Sequence, residues 1–386
     1  MKMKLLKILM AGLFALVFVG TASAQTTIRI TGSTAFRKAT HQAIGNILNP
    51  GFTVGFSGTD LTKASQAIFT GTTKIGSNSV IIKTSWSGSV GGVQTLAQNL
   101  TVSTWLQNGL TGSGLNSGPY DSPVTADVTM SDSFQGSTAF LTPVLNDKVV
   151  GVVAFEWVRN AGSPSSLADM TPLLAQALLG AGQIPLSQFT GLNADESVIV
   201  TALGRDEDSG TRLDEFAESG FGIFSAPFQY QPVISGTPGP SGTVTGANPW
   251  PVNTVNGVTY PVGHSGFSGG GALAAALNTP GSLAGTGGWF VAYLGISDAA
   301  GVNLGAPMTY NGVAYSPTAV QEGQYTAWSY EHLMYRSSFS GTAKTVADQL
   351  GTQIHDVDAT ASGVLLSTMQ VGRSVEGGVV TFGNPY

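Results

Sequence analysis

The sequence predicts an α/β protein of two lobes with a ligand cleft between them, and three observations carry that prediction. Apolar runs alternate with helix-like stretches along most of the chain. Three of those runs hand over to a helix through turns built of Ser, Gly and Thr, at the carboxyl ends of strands where open α/β sheets place ligands. Finally, 386 residues with 42% apolar content suffice for two lobes with separate cores and argue against a disordered chain.

The elements follow in order. Residues 1–24 read as a targeting segment: Lys2, Lys4 and Lys7 form a basic start, Ile8 to Val19 is apolar, and Ala22-Ser23-Ala24 fits a cleavage site before Gln25. The apolar stretch is short for a membrane span. Ile28-Arg29-Ile30 is a short strand, Thr31-Gly32-Ser33-Thr34 a turn, and Ala35 to Leu48 a helix. Val80 to Trp86 is the next strand to end in a Ser/Gly turn, Ser87 to Gly92, before a helix from Val93 to Gln98. The strand from Val149 to Val158 crosses to the second lobe. A helix from Leu167 to Leu179 is expected there, capped by Ser165 or Ser166 and stopped by Gly180. Residues 225–263 look like an inserted loop, Pro/Gly/Thr-rich from Ser235 to Asn253. Gly269-Gly270-Gly271 opens a helix from Ala272 to Asn278, ended by Pro280. Apolar strands near Val291 and Tyr330 and a helix from Thr342 to Leu350 complete the chain. The expected division is lobe I over 25–148, with 317–386 returning to it, and lobe II over 149–316.

The third junction is the most informative. Val198-Ile199-Val200 runs into Arg205-Asp206-Glu207-Asp208-Ser209-Gly210-Thr211-Arg212, and a helix continues through Leu213, Phe216 and Ala217. Ser209, Gly210 and Thr211 place two hydroxyls and a free backbone N–H at a helix start, where unpaired donors and the positive dipole end favour an anion. Arg205 adds a fork of donors suited to a tetrahedral oxyanion. Ser33, Thr34 and Ser89 repeat the design. One such turn could be only a helix cap; three, one of them with an Arg, point to anion binding.

The formal charge of −6 becomes −9 once residues 1–24, with three Lys and no acid, are removed. So acidic a chain has no global field for phosphate or nucleic acid. Nucleic-acid binding is excluded, and an anion must be held by local donors. There are no cysteines, hence no disulfides, no thiolate chemistry and no lipidated Cys anchor.

Gly32-Ser33-Thr34, Ser87-Gly88-Ser89-Val90-Gly91-Gly92-Val93, Ser131-Asp132 and Arg205-x-x-x-Ser209-Gly210-Thr211-Arg212-x-x-x-Phe216 occur in one order. That order resembles the periplasmic phosphate-binding proteins of the phosphate ABC transporter, within the type II periplasmic binding protein superfamily. Val149 to Ala154, Trp289 to Ser297 and Ser316 to Tyr325 are similar to further segments of that family. The resemblance covers most of the chain after residue 24, with longer stretches before Val80 and between Gln98 and Asp127. It implies a two-lobed fold that closes on inorganic phosphate. Ser33, Thr34, Ser89, Asp132, Arg205, Ser209, Gly210 and Thr211 would line the site, with Asp132 accepting the proton of hydrogenphosphate. It further implies an extracytoplasmic monomer that delivers its ligand to an ABC permease, without catalysis or cofactor. Which of Asp206, Glu207 and Asp208 orients Arg205 stays open.

Two alternatives come from other classes. The same fold could serve as a secreted binder of another oxyanion, or as a phosphate scavenger without a transporter. A serine hydrolase centred on Ser268, in Gly266-Phe267-Ser268-Gly269-Gly270, needs a buried strand before the serine; Tyr260-Pro261-Val262-Gly263-His264 makes a poor one. His41, His264, His332 and His355 show no metal-ligand spacing.

Overall fold

The computed structural model describes residues 25–283 and 288–386; the expected targeting segment lies outside the described residues. The chain opens with strand β1 (Thr26–Gly32) and helix α1 (Arg37–Ile47). Helix α1 buries Ala39, Ala43, Ile44 and Ile47, a spacing that makes one helical stripe. Strands β2 (Thr53–Phe56), β3 (Gln66–Thr72) and β4 (Ser79–Ser85) follow, then helix α2 (Ser89–Ala97) and strand β5 (Val128–Ser131). Strand β6 (Asn146–Arg159) leads to α3 (Pro172–Ala181), β7 (Gln183–Pro185), β8 (Ile199–Ala202) and α4 (Gly210–Glu218). Hairpin strands β9 (Tyr230–Ser235), β10 (Thr243–Pro249), β11 (Asn253–Val255) and β12 (Val258–Tyr260) precede α5 (Gly270–Leu277). Strands β13 (Trp289–Gly295) and β14 (Trp328–Tyr335) and helix α6 (Gly341–Asp356) come last.

One sheet runs through both lobes, in the order β7-β8-β13-β6-β14-β5-β1-β4-β3-β2. Strand β6 is the seam. Its residues Asn146 to Ala154 pair with β14, and Phe155 to Arg159 pair antiparallel with β13. Strands β1, β4 and β5 are mutually parallel in one lobe, and β8 and β13 are parallel in the other. Their carboxyl ends face the cleft between the lobes, so the fold is the two-lobed α/β fold that the sequence predicts. One core joins Ile28, Ile30, Phe36, Ile44, Val80 and Ile82 to Val346, Leu350 and Ile354 of α6. A second joins Trp157, Leu178, Val200, Phe216, Val291 and Tyr293, and takes in Val364, Leu366 and Met369 of the C-terminal segment.

Several local expectations need correction. Helix α3 begins at Pro172, not Leu167, because Thr171 caps it through its side chain and Pro172 fits the first helical turn. It ends on Gly182, left-handed at φ 77°, rather than on Gly180. Helix α2 begins at Ser89, not Val93, with Gly91 and Gly92 inside it. A side chain at Gly92 would overlap the Thr129 hydroxyl and lie 2.7 Å from the Gly32 Cα, so the glycines let α2 lie against β1 and β5. The stretch Ser235 to Asn253 is not a bare loop. It carries β10, paired with β9, and the β11–β12 hairpin turns at Asn256-Gly257, both with positive φ.

Candidate functional site

Each junction ends a strand at the cleft. Gly32 closes β1 at φ 105°, Gly88 leads α2 at φ 95°, and the Gly88 N–H donates to the Gly32 carbonyl at 2.9 Å. The Ser33 hydroxyl accepts the Phe36 N–H at 3.3 Å one turn ahead of α1. Ser209 caps α4, its hydroxyl accepting the Arg212 N–H at 3.2 Å. Capping fixes the helix start and leaves the N–H groups of Gly210 and Thr211 pointing out of the first turn.

The structure brings the eight sequence-predicted residues together. Ser33, Thr34, Ser89, Asp132, Arg205, Ser209 and Thr211 are all buried. The Asp132 N–H donates to the Ser89 hydroxyl at 3.2 Å, and the Thr211 hydroxyl donates to Asp132 Oδ2 at 3.5 Å. Gly210 packs so close that a Cβ there would overlap the Asp132 carboxyl and lie 2.6 Å from Ser89 Cβ. Arg205 Nη2 reaches across the cleft to donate to the Thr34 hydroxyl at 3.2 Å. Asp132 Oδ1 is buried without a hydrogen-bond partner.

Arg205 is not oriented by the acids that follow it. Its Nε donates to the Phe267 carbonyl at 3.0 Å and its Nη2 to the Ser268 carbonyl at 3.1 Å. Its backbone is held by Tyr293, whose hydroxyl accepts the Arg205 N–H at 3.3 Å, and by Gln229, which donates to the Arg205 carbonyl at 3.0 Å. Arg212 Nη1 donates to the same carbonyl at 3.2 Å. Glu207 instead accepts from the Ser265 hydroxyl at 3.1 Å, and the Asp208 carbonyl accepts the Gly91 N–H of the opposite lobe at 3.1 Å. Neutral carbonyls fix the guanidinium without taking its hydrogen bonds into an ion pair, which leaves it able to meet an anion.

Burial pushes the Asp132 pKa up to about 6, against the pull of the Ser89 hydroxyl and the Arg205 charge. Its unpartnered Oδ1 offers an acceptor to the cleft. More acids stand behind it. Asp214 accepts from the Ser133 hydroxyl at 3.0 Å, and burial, with Asp132 and Glu376 nearby, holds its carboxyl well above the carboxylate range. Glu376 accepts from the Phe134 N–H and the Ser137 hydroxyl. Glu331 is fully buried. Sequence reasoning missed these groups, as well as Gln229, Tyr293 and the Phe267 and Ser268 carbonyls, since no local pattern marks residues that meet only through the tertiary fold.

The Ser268 geometry does not resemble a nucleophile elbow. Ser268 is exposed, its carbonyl serves Arg205, and Gly266 and Phe267 lie outside any extended strand. Among the described residues no hydrogen bond joins it to a histidine, and no group of three or more His, Cys, Asp or Glu could hold a metal. No helix there is long and apolar enough to cross a membrane.

No family model and no curated protein matches the chain. Solved structures do. One, described as a phosphate ABC transporter substrate-binding protein from Clostridium perfringens with bound phosphate, is 14% identical, with 88% of this chain and 99% of that chain covered at a TM-score of 0.49. An ABC-type phosphate transport receptor from Vibrio cholerae is 12% identical over 88% of this chain and 99% of its own, at a TM-score of 0.48. The regulatory domain of CcmR from Synechocystis in complex with 2-PG is 9% identical over 86% and 99%, at a TM-score of 0.42. The chain is thus similar to phosphate transport receptors and also to a regulatory domain.

Proposed function

We propose that this protein captures inorganic phosphate outside the cytoplasm and delivers it to an ABC permease, without catalysis. The observation that carries the reading is the pairing of a buried guanidinium with a buried, unsatisfied carboxylate oxygen across one cleft. Arg205 supplies positive charge. The helix starts at Ser89 and at Ser209 to Thr211, with the turn at Ser33 and Thr34, supply neutral donors. Asp132 supplies the one acceptor. A hydrogenphosphate satisfies both, because its oxygens take the donors and its proton goes to Asp132. Sulfate at neutral pH brings no proton and meets Asp132 as a repulsive acceptor.

Delivery follows from lobe closure around the anion, with the closed surface docking on the permease as the monomer. Residues 1–24 would direct export and be cleaved after Ala24. Equilibrium binding of radiolabelled phosphate with sulfate and arsenate competitors tests the reading. Phosphate and arsenate competing while sulfate fails is the expected result. Sulfate competing equally would favour a general oxyanion binder, and no phosphate binding would remove the reading.

A further inference from the structure

Behind the anion cleft lies a carboxyl group that phosphate capture, as described, does not use. Glu331 sits on β14, fully buried, and neither of its oxygens closes a hydrogen bond of good geometry. The register explains where it points. His332 pairs with Ser131 across β14 and β5, so Glu331 falls opposite Asp132, one step beyond the last paired residues. Directly opposed residues of an antiparallel pair project to the same face. On β6 the ladder skips Val150 between the partners of Glu331 and His332, a bulge of the kind that re-aims a side chain.

We propose that Glu331 is the protonated half of a buried carboxyl pair with Asp132, and that it supports anion affinity by keeping the Ser33 hydroxyl free to donate to the ligand. Two buried carboxyls facing each other do not both ionise, and their surroundings decide which keeps the proton. Asp132 has the Ser89 hydroxyl, the Thr211 hydroxyl and the Arg205 charge to favour ionisation, opposed by Glu376. Glu331 has only the Ser33 hydroxyl on its side, while burial and the Asp132 charge raise its pKa well above the usual range. His332 is turned to the other face, where its Nδ1 lies 2.8 Å from Asp147. The proton therefore stays on Glu331. Ser33 already accepts the Phe36 N–H. Beside an ionised Glu331, its one hydrogen would be drawn to that carboxylate. Beside a carboxylic acid it can accept a second hydrogen bond and turn its own hydrogen into the cleft.

The ligand half of this inference rests on the phosphate reading; the protonation half does not. Infrared difference spectra of unliganded wild type and Glu331→Gln at neutral pH should show a protonated-carboxyl C=O band that the variant loses. Absence of that band overturns the pair whether or not phosphate binds. Phosphate titration should give Glu331→Gln nearly wild-type affinity at neutral pH, because the amide is also a neutral donor. Toward alkaline pH wild type should weaken by about tenfold more than the variant, as expected for one lost hydrogen bond to a charged ligand. Parallel pH profiles, or a tenfold loss in Glu331→Gln at neutral pH, would overturn the role in affinity. A wild type that binds no phosphate while keeping the band would instead remove the phosphate reading.

Discussion

The Arg205 guanidinium is held by oxygens without formal charge, the carbonyls of Phe267 and Ser268 and the hydroxyl of Thr34. Such a side chain is prepared to receive an anion, since none of its hydrogen-bond partners is a carboxylate that must be displaced. Arg205→Ala should therefore lower phosphate affinity by about two to three orders of magnitude, the scale of losing one partner of a desolvated charge pair. Calorimetric titration of the folded variant checks it, and unchanged affinity removes Arg205 from the site. Asp132→Asn acts on selectivity. An amide can rotate a donor toward a fully ionised oxygen, whereas an ionised carboxylate cannot. The phosphate-to-sulfate affinity ratio, at fixed pH and salt, should fall in this variant; an unaltered ratio moves the proton acceptor elsewhere.

Among the elements, the start of α4 and the start of α2 meet across the cleft. Ser89 and Asp132 lie against Gly210, and the Gly91 N–H reaches the Asp208 carbonyl at 3.1 Å. Helix propensity alone favours Gly210→Ala by up to about 1 kcal/mol. Contact reverses this, because the methyl would overlap the Asp132 carboxyl. The expected outcome is weaker phosphate binding with little change, or a gain, in the stability of the open form. Small-angle scattering alongside thermal melts separates the two effects; a fully closing, tightly binding variant would show that Asp132 moves aside easily.

At the scale of the whole molecule, the lobes also meet away from the proposed anion site. Arg37 of α1 and Asp298 after β13 form a buried ion pair at 2.7 Å. On the far side Asn256, at the tip of the inserted hairpin, donates to Gln94 of α2 at 2.6 Å. Arg37→Ala should cost about 3 kcal/mol by stranding Asp298, and Arg37→Ala with Asp298→Ala should cost less than either single change. A double-mutant cycle by chemical denaturation measures the coupling, and additive losses would mean that the pair is idle. The buried acids also set the pH response. Burial raises Glu215 to about 8 and Asp206 to about 7. A carboxyl whose folded pKa is raised binds its proton more tightly when folded. Its stabilisation is complete below the unfolded pKa and is lost as pH climbs through the folded value. Thermal stability should therefore decline from mildly acidic pH toward pH 8, and Glu215→Gln should flatten that decline. A melting temperature rising across the window would contradict the burial of these groups.

How far the sequence reached depended on whether the determinant was local. The strand-to-helix junctions at Ser33, Ser89 and Ser209 were legible because cap residues, positive-φ glycines and apolar runs act within a few positions. Their meeting at one cleft was readable only as an inference from shared context. Helix ends shifted where a better local signal sat nearby, as with Thr171-Pro172. The β9–β10 hairpin, although local, hid in a Pro/Gly-rich stretch because Pro232, Gly246 and Pro249 interrupt the residue pattern of its strands. From the sequence alone came an α/β fold of two lobes, the Arg205 motif and an acidic composition, in which any bound anion would have to be held by local donors. The oxygens that orient Arg205, the contacts made between the lobes and the burial of Glu331 beside the end of β5 emerge only in the folded chain. Those depend on strand register and burial, which bring together residues hundreds of positions apart and change the energy of charge, leaving no trace in the spacing of neighbours along the chain.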